Sequence, residues 1–464
     1  MRWMLLTLAA AGLVLNGCTM VPQYARPPLP VPSVWPGGPA RGAQVAGIDA
    51  SNGWRETFPD PGMQAVINLA LANNRDLRIA ALNIEKARAL YRIQRSELNP
   101  GVGVMAAGER YRLPERLGEN GDARVVSQYS VNLGLASWEI DLFGRLRSLK
   151  ARALDQYLAT EQAHIATHVA LVAEVARGYL TVAGDGELLT LARSTLETQQ
   201  ASWDLIRRSR ELGVASDLEL RQAESQVEAA RAEVARAAGA LAVDRSILDL
   251  VVGVPVSVDL MPDGWNGLAE VQGVAPGVSS EVLLRRPDIL AAEHQLKAAN
   301  ANIGAARAAF FPRISLTAGF GTMSPDLSGL FGSGTRTWSF APQIVAPLFA
   351  SGSLRANLKV ARVDREIAVA TYEKAIQTAF AEVSSSLALR ATLLDQKAAQ
   401  AALVEALAET HRLSQARYRG GIDGYLSVLV AQRSLVQAQQ ALLGVRLAEQ
   451  ANLVTLYKVL GGGV

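Results

Sequence analysis

The sequence contains a single cysteine, Cys18, and only four histidines among its 464 residues. One cysteine excludes a disulfide within the chain and any zinc site built on several thiolates. An excess of one charge is also lacking, because 46 Lys and Arg against 43 Asp and Glu leave a formal net charge of +3. That balance argues against an electrostatic surface for nucleic acid. Beyond the N-terminus there is no run of about 18 continuous apolar residues, so further membrane contact is expected from strands.

The first 17 residues have the features of a bacterial lipoprotein signal peptide. Arg2 precedes an apolar run from Met4 to Leu15, which is too short to span a bilayer, and Gly17-Cys18 follows. A small residue before a lone cysteine resembles a lipobox, which predicts removal of 1–17 and lipidation of Cys18, for example with palmitate. In lipoproteins of this type Thr19, not being Asp, permits sorting to the outer membrane. The alternative is an ordinary signal peptide with an incidental cysteine.

Residues 18–60 form a proline-rich stretch. Nine of the 19 prolines fall between Thr19 and Pro61, and proline removes the backbone N–H that a helix needs. The sequence therefore predicts an extended, lipidated tether over 18–60, which joins the anchor to a folded body.

The body is an internal duplication. Asp76–Pro100 matches Asp288–Pro312 at an offset of 212, and later matches such as Glu174 with Glu382 keep an offset of 208. The offset changes only within one interval, where a hairpin loop would tolerate a change of length. The predicted boundaries are a first repeat at 61–253, a linker at 254–278 and a second repeat at 279–461.

Within each repeat the apolar pattern changes from the helical period to a period of two. Apolar residues alternate with small or polar ones over 129–136 and 314–321, which predicts strands with one apolar and one polar face. With weaker partner strands they form hairpins at about 101–141 and 312–349. Four strands cannot close a barrel, and open sheet edges are not viable in lipid, so closure has to involve several chains. The alternative is a soluble sandwich with one face on its core.

Long helices are predicted after the hairpins, from about 144 to 212 and from about 353 to 420, and each could reach about 100 Å. Shorter helices are predicted before the hairpins, roughly Met63–Leu98 and Pro287–Ala309, and after the turns, at 217–252 and 423–460. Gly184-Asp185-Gly186 predicts a kink or break in the first long helix, because each glycine costs about 1 kcal/mol relative to alanine. Gly213 and Gly421 are expected to end the long helices in the left-handed conformation, and Asp217 and Asp423 to cap the next ones.

Catalytic chemistry is not indicated by any motif. His164 and His168 lie four residues apart with Glu161 one turn earlier, but the carboxylate position of an HExxH motif is missing, so a solvated face explains them better. His294 and His411 are isolated, and the glycine-rich loop at 329–334 lacks a lysine for phosphate. The sequence predicts neither an enzyme nor a bound cofactor or metal.

Three motifs resemble one known family. They are Ser137-Trp138-Glu139-Ile140-Asp141-Leu142-Phe143-Gly144-Arg145-Leu146-Arg147, Leu284-Arg285-Arg286-Pro287-Asp288-Ile289, and Tyr418-Arg419-Gly420-Gly421 leading to Tyr425-Leu426-Ser427-Val428-Leu429. Over nearly the whole mature chain the sequence resembles the TolC-like outer-membrane factors, in particular their lipidated branch of OprM-like and NodT-like proteins. The resemblance implies a mainly α fold with a small transmembrane β part. It implies a homotrimer, with a 12-stranded β-barrel continued by a 12-helix α-barrel in the periplasm.

The resemblance also implies partners and a role. The implied partners are a periplasmic adaptor protein and an inner-membrane pump, usually of the RND type, and the implied role is a passive exit duct for small molecules in multidrug efflux. Two alternatives remain at this point, an exit duct for protein secretion and a structural coiled-coil lipoprotein of the envelope. The alternating strands favour a channel over a spacer.

The resemblance further implies that the tips of the helical turns form a gate and dock the adaptor. In the pattern of this branch an arginine, a leucine and an Asp-Arg pair narrow the mouth. Arg419, Leu426 and Arg433 match those positions, but Val430 stands in place of the acid. We therefore expect a hydrophobic constriction by Leu426 and Val430, with Asp423 as the nearest acidic group. The residues expected to dock the adaptor are Gly213, Val214, Ala215, Ser216, Asp217, Gly420, Gly421 and Ile422.

The two tips differ in charge. Glu211 and Arg419 occupy equivalent positions of the two repeats, so we expect unequal roles at the mouth, with gating in the second repeat.

Overall fold

The computed structural model describes residues 19–35, 53–117, 123–265, 267–272 and 280–462. These residues belong to two compact units. The sheet unit comprises the described parts of Met1–Pro28, Asn83–Glu161 and Ala291–Tyr372, and the helical unit those of Leu29–Leu82, Gln162–Leu290 and Glu373–Val464. The predicted lipidation site Cys18 and the signal peptide 1–17 lie outside the described residues.

Helices dominate the described chain. In order, the elements are α1 (Trp54–Thr57), α2 (Pro61–Asn73), α3 (Arg75–Ser96), β1 (Val102–Leu113), β2 (Arg124–Ile140), α4 (Arg145–Glu211), α5 (Asp217–Val252), α6 (Pro287–Ala308), β3 (Arg313–Ser324), β4 (Arg336–Val345), α7 (Ser353–Arg419) and α8 (Tyr425–Val459). The long helices α4 and α7 have 67 residues each. The same order of helix, hairpin, long helix and shorter helix therefore occurs twice.

The four strands form one antiparallel sheet in the order β1-β2-β3-β4. Its register aligns Val104 with Leu133, Leu133 with Phe320, and Phe320 with Trp338. The apolar residues of this row are more than half exposed, from 54% at Leu133 to 75% at Trp338. An exposed apolar face this continuous is what a lipid-facing sheet requires.

The predicted break in the first long helix is wrong, while a kink there stays a prediction. The helix α4 runs without a break through Gly184 and Gly186. The two glycines together cost about 2 kcal/mol of helix propensity, but tertiary packing overrides so weak a preference. Gly184 lies against the side chains of Leu447 and Trp265, and Gly186 against the backbone of Gly264. Asp185 lies between the two glycines, and burial and a hydrogen bond with Asp244 raise its pKa to about 7.

The helix expected from Met63 to Leu98 is instead two helices. Asn74 lies between α2 and α3 in an extended conformation, with φ −61° and ψ 133°. Its side-chain oxygen accepts a hydrogen bond from the Leu77 N–H at 2.8 Å, which caps α3. The core of the helical unit lies under α2, where Met63 and Ile67 are fully buried.

The N-terminal stretch does not run as a free tether. Residues 19–35 contain no helix, as predicted, but 20–26 lie along α6. Asn300 donates to the Pro22 carbonyl at 2.7 Å, and Arg307 to the Met20 carbonyl at 3.2 Å. In the helical unit Trp35 stacks on Phe380 with ring centroids 4.8 Å apart. The prediction of extended backbone over 18–60 is also wrong at Trp54–Thr57, where one helical turn forms α1.

One described helix, α4, is long and apolar enough over an 18-residue window to cross a membrane, with a mean hydropathy of 1.2. Half of that window is buried within the chain. Buried helices of protein cores meet the same criterion, so this finding is weak evidence for a helical span.

Candidate channel mouth at the two helix-turn-helix tips

The first tip joins α4 to α5 by a glycine in the left-handed conformation. Gly213 has φ +72°. The Gly213 N–H bonds the Arg210 carbonyl and the Val214 N–H bonds the Ser209 carbonyl, both at 2.9 Å. These two bonds form a Schellman motif, which satisfies carbonyls that the end of α4 leaves free. The prediction of a left-handed glycine at this position is confirmed.

The sequence predicted Asp217 as the cap of α5, and this prediction is wrong: the cap is Ser216. The Ser216 hydroxyl accepts from the Glu219 N–H, and the Glu219 carboxylate accepts from the Ser216 N–H at 2.8 Å. This reciprocal capping box was visible as Ser-x-x-Glu in the sequence. Asp217 lies one residue inside the helix, where its carboxylate pairs with Arg210 at 2.5 Å.

The second tip repeats the first backbone turn. Gly421 has φ +71°, and its N–H bonds the Tyr418 carbonyl while Ile422 bonds the Arg417 carbonyl. The predicted cap is again wrong, because Gly424 precedes α8 and no side chain caps it. Asp423 instead accepts two hydrogen bonds from Arg417, at 2.6 and 3.0 Å, which lower the pKa of its carboxyl group. Pattern reasoning singled out neither Arg210 nor Arg417.

A small core supports both tips. Ile206 of α4, Ala223 of α5, and Tyr425 and Val428 of α8 are buried together. The rings of Tyr418 and Tyr425 lie 5.5 Å apart, and burial raises the pKa of Tyr425 to about 12. This cluster holds the base of the loops while their outer residues stay exposed.

The loops present an apolar surface to solvent. The exposed fractions are 80% for Leu212, 81% for Val214, 67% for Leu218 and 65% for Ile422. Together with Leu426, these residues define what we call the tip surface. Exposed apolar clusters of this kind in folded proteins mark interaction sites.

The expected gate residues lie at the end of α7, in the turn that holds Asp423, and on one exposed stretch of α8. Leu426 and Val430, one turn apart, are 61% and 46% exposed, and Arg433 follows three residues later. No ion pair found among the described residues includes Arg419 or Arg433. Asp423, expected as the nearest acid, is engaged by Arg417. The structure thus brings the apolar pair together, and the described residues form no ionic lock at this level.

Within the described parts of the chain, no group of three His, Cys, Asp or Glu residues has an arrangement that could hold a metal ion. His294 lies in the sheet unit, with its Nδ1 3.0 Å from the Asp155 carboxylate. Burial and the neighbouring His164 lower the pKa of His168, and burial lowers that of His411. The glycine-rich segment at 329–334 lies in the loop between β3 and β4.

Comparison with known proteins gives consistent matches over most of the chain. The model of the outer membrane efflux protein family matches residues 66–254 and again 278–462. The probable efflux pump outer membrane protein TtgC of Pseudomonas putida is 48% identical over 463 residues, which cover 99% of this chain and 95% of that protein. The outer membrane protein OprJ of Pseudomonas aeruginosa is 44% identical, with coverage of 97% and 94%. The open state of the MtrE outer membrane channel of Neisseria gonorrhoeae superposes with a TM-score of 0.87 at 39% identity, with coverage of 96% and 98%.

Proposed function

Because the chain belongs to the outer membrane efflux protein family, we propose that it is the lipidated exit duct of a tripartite pump, docked at its tips by a periplasmic adaptor. An RND-type transporter in the inner membrane would supply the energy. The observation that carries this proposal is the tip surface, which is apolar, exposed and held on a rigid turn in both repeats.

Family membership itself confirms several predictions. The chain is an outer-membrane efflux channel and not an enzyme, and the resemblance to TolC-like channels is correct. Its structural neighbours are trimeric channels with a β-barrel and an α-barrel, which agrees with the predicted fold class. These findings favour the channel over a coiled-coil spacer.

The proposed adaptor contact follows from the chemistry of the tip surface. Val214 and Ile422 are exposed, and the N–H group of each is already bonded within its turn. A partner helix or turn with an apolar face would cover them without leaving buried polar groups unpaired. The guanidinium groups of Arg210 and Arg417, each on a neighbouring carboxylate, would form the polar rim.

Replacing Val214 and Ile422 together by aspartate is expected to weaken adaptor capture and drug efflux at least about tenfold, because each charge would lose its water in an apolar contact. Cross-linking to the adaptor in cells and drug susceptibility of a strain lacking its own channel would measure this. The matched control is Val258→Asp, since Val258 is an equally exposed valine, 74% accessible, in the linker. Equal adaptor capture by both variants would contradict docking at the tips.

Trimer closure is proposed to join the two outer edges of neighbouring copies. In the described chain, the outer edges of β1 and β4 pair with no other strand, and an open edge in lipid leaves backbone groups unsatisfied. The helices next to these edges, α3 and α7, also carry exposed apolar residues. These are Leu90 (54%), Ile93 (60%), Val360 (57%), Val363 (42%) and Ile367 (59%).

In a variant that carries both Leu90→Cys and Val360→Cys, a short bifunctional thiol reagent should therefore link neighbouring protomers to each other. Leu90 lies six residues from the end of α3 at Ser96, and Val360 seven from the start of α7 at Ser353, so both lie at a similar height below the sheet. Denaturing gels would show linked trimers for the pair and unlinked monomers for each single variant. Unlinked chains from the pair would contradict this interface.

Lipidation of Cys18 remains part of the proposal. It is supported by the signal peptide pattern and by the position of the only cysteine. Labelling with palmitate should mark the wild-type chain and leave Cys18→Ser unlabelled; label on both would contradict it.

A further inference from the structure

The duplication places one joint at the same position in both repeats of the helical unit. In the first repeat the Asn74 side-chain N–H donates to the Val251 carbonyl at 2.7 Å. In the second the Arg286 Nη1 donates to the Val459 carbonyl at 2.6 Å. Arg286 follows Asn74 by the offset of 212, and Val459 follows Val251 by the offset of 208. In each repeat, then, the residue just before the helix that leads to the hairpin holds the last turn of the helix that follows the tip.

A left-handed glycine completes each joint. Gly253 ends α5 with φ +86°, and its equivalent Gly461 follows α8 with φ +96°. A Cβ on Gly253 would lie 2.6 Å from the Asn73 carbonyl oxygen, and one on Gly461 would lie 3.5 Å from the Arg286 Cγ. The backbone therefore approaches closely at the first joint, whereas the contact at the second is an ordinary van der Waals contact; both helices end with a left-handed glycine.

The two joints differ in what else they hold. Arg286, 9% exposed, also donates to both carboxylate oxygens of Asp288, at 3.0 and 2.7 Å, and to Glu382 of α7 at 3.0 Å. Burial alone would lower the pKa of Arg286, but the two carboxylates outweigh it and raise that pKa. A guanidinium at a helix C-terminus is favourable in its own right. One side chain therefore ties α6, α7 and α8 together.

Among the described residues, no ion pair connects Asn74, the equivalent of Arg286, to the long helix α4 of the first repeat. Glu174 of α4 is the equivalent of Glu382 and is exposed. The amide of Asn74 carries no charge to attract it, and the oxygen of that amide already accepts from Leu77. The side chain of Asn74 thus holds α5 to the start of α3 only, and α4 contacts α5 through the core and the Asp185–Asp244 hydrogen bond instead.

We propose that Arg286, with Glu382, is a positioning element of the channel: it fixes the middle of α7 to the last turn of α8 and so restrains the second tip in the closed mouth. The first tip lacks this restraint. Opening then requires more work at the second tip than at the first. The proposal rests on the proposed closure of the mouth at the tips.

The sharpest test is Glu382→Gln in the full-length trimer, because it removes only the contact to α7 and leaves the bonds of Arg286 to Asp288 and Val459 in place. Closed-state conductance in planar bilayers should rise about fivefold, the population change for a partly exposed ion pair worth about 1 kcal/mol. Glu174→Gln is the matched control, the same change at the equivalent position, and should leave conductance at the wild-type value. Arg286→Asn, which copies the first repeat, should exceed the effect of Glu382→Gln.

The thermal midpoint of the trimer separates positioning from simple destabilisation. It should change little in Glu382→Gln, since the carboxylate that is removed is about half exposed and Arg286 keeps its bond to Asp288. Wild-type conductance in both Glu382→Gln and Arg286→Asn would overturn the proposal, as would an equal rise in Glu174→Gln. Serine at Leu426 and Val430 provides the independent check: a leak there without an effect at Glu382 refutes the joint and retains the gate. No leak in any variant refutes closure at the tips.

Discussion

Arg26→Ala is expected to lower the free energy of unfolding by about 2–3 kcal/mol, because it leaves the buried Glu293 carboxylate without its main partner. The Glu293 side chain is 4% exposed, and Arg26 donates to both of its oxygens, at 3.1 and 2.7 Å. Tyr24 and Lys297 each contact the same carboxylate at 3.1 Å. These remaining partners, and the half-exposed position of Arg26, keep the expected loss below that of a fully buried pair. The thermal midpoint of the detergent-solubilised protein would measure it.

The pH dependence of this loss has a defined sign. Burial alone would raise the pKa of Glu293, but the hydrogen bonds from Arg26 and Lys297 outweigh it and hold that pKa below 4.5. A depressed folded-state pKa contributes stability above the unfolded value of 4.5, and this contribution is lost as the pH falls through the folded-state pKa. The difference between wild type and Arg26→Ala should therefore shrink as the pH falls below 4.5.

The matched control is Arg231→Ala, which removes an exposed arginine paired with Glu228 on the surface of α5. Such pairs contribute about 0.3–0.5 kcal/mol. If the Arg26→Ala and Arg231→Ala variants have the same thermal midpoint, the contact of Arg26 with the buried Glu293 carboxylate does not stabilise the fold as expected.

Serine at both Leu426 and Val430 is expected to raise the conductance of the closed channel on the order of tenfold, since each substitution removes apolar contact and admits water to a hydrophobic constriction. The basis is the exposed apolar pair on α8 and the absence of an acid at position 430. Single-channel recording in planar bilayers is the measurement. A closed pore as resistive as the wild type would exclude a hydrophobic gate at this level.

Two further variants sharpen the result. Leu218 is the equivalent of Leu426 in the first repeat and is exposed to a similar degree, 67% against 61%. Leu218→Ser should have a smaller effect if the second repeat carries the gate. Val430→Asp places a carboxylate three residues before Arg433, and the closed conductance should then depend on salt, because an exposed ion pair is screened.

At the two tips, the sequence predicts the backbone turn but not the caps of the helices that follow. The left-handed glycines Gly213 and Gly421 followed from their positions at the ends of long helical patterns, because only glycine adopts that conformation without strain. The prediction that Asp217 and Asp423 cap the next helices is wrong because each pairs with a nearby arginine. That pairing depends on where the turn places the two side chains. The capping box at Ser216 was present in the sequence but was passed over for the adjacent aspartate.

The N-terminal stretch shows the opposite case. Proline content correctly predicted the absence of helix over 19–35, because proline in a helix interior removes a hydrogen bond and clashes with the preceding turn. It did not predict that Arg26 would bind Glu293, which lies 267 residues away in the chain. No local signal marks a contact between residues so distant, since it depends on how α6 presents its side chains.

The sequence by itself determined the duplication, the strand alternation, the length of the long helices and the absence of catalytic motifs, because these are local or periodic properties that a chain expresses wherever it folds. Tertiary structure alone decided the break at Asn74, the continuity of α4 through Gly184 and Gly186, and the unequal joints at Asn74 and Arg286. Each of these depends on a partner from a distant segment. Differences of about 1–2 kcal/mol in local preference decide an element only when packing does not oppose them.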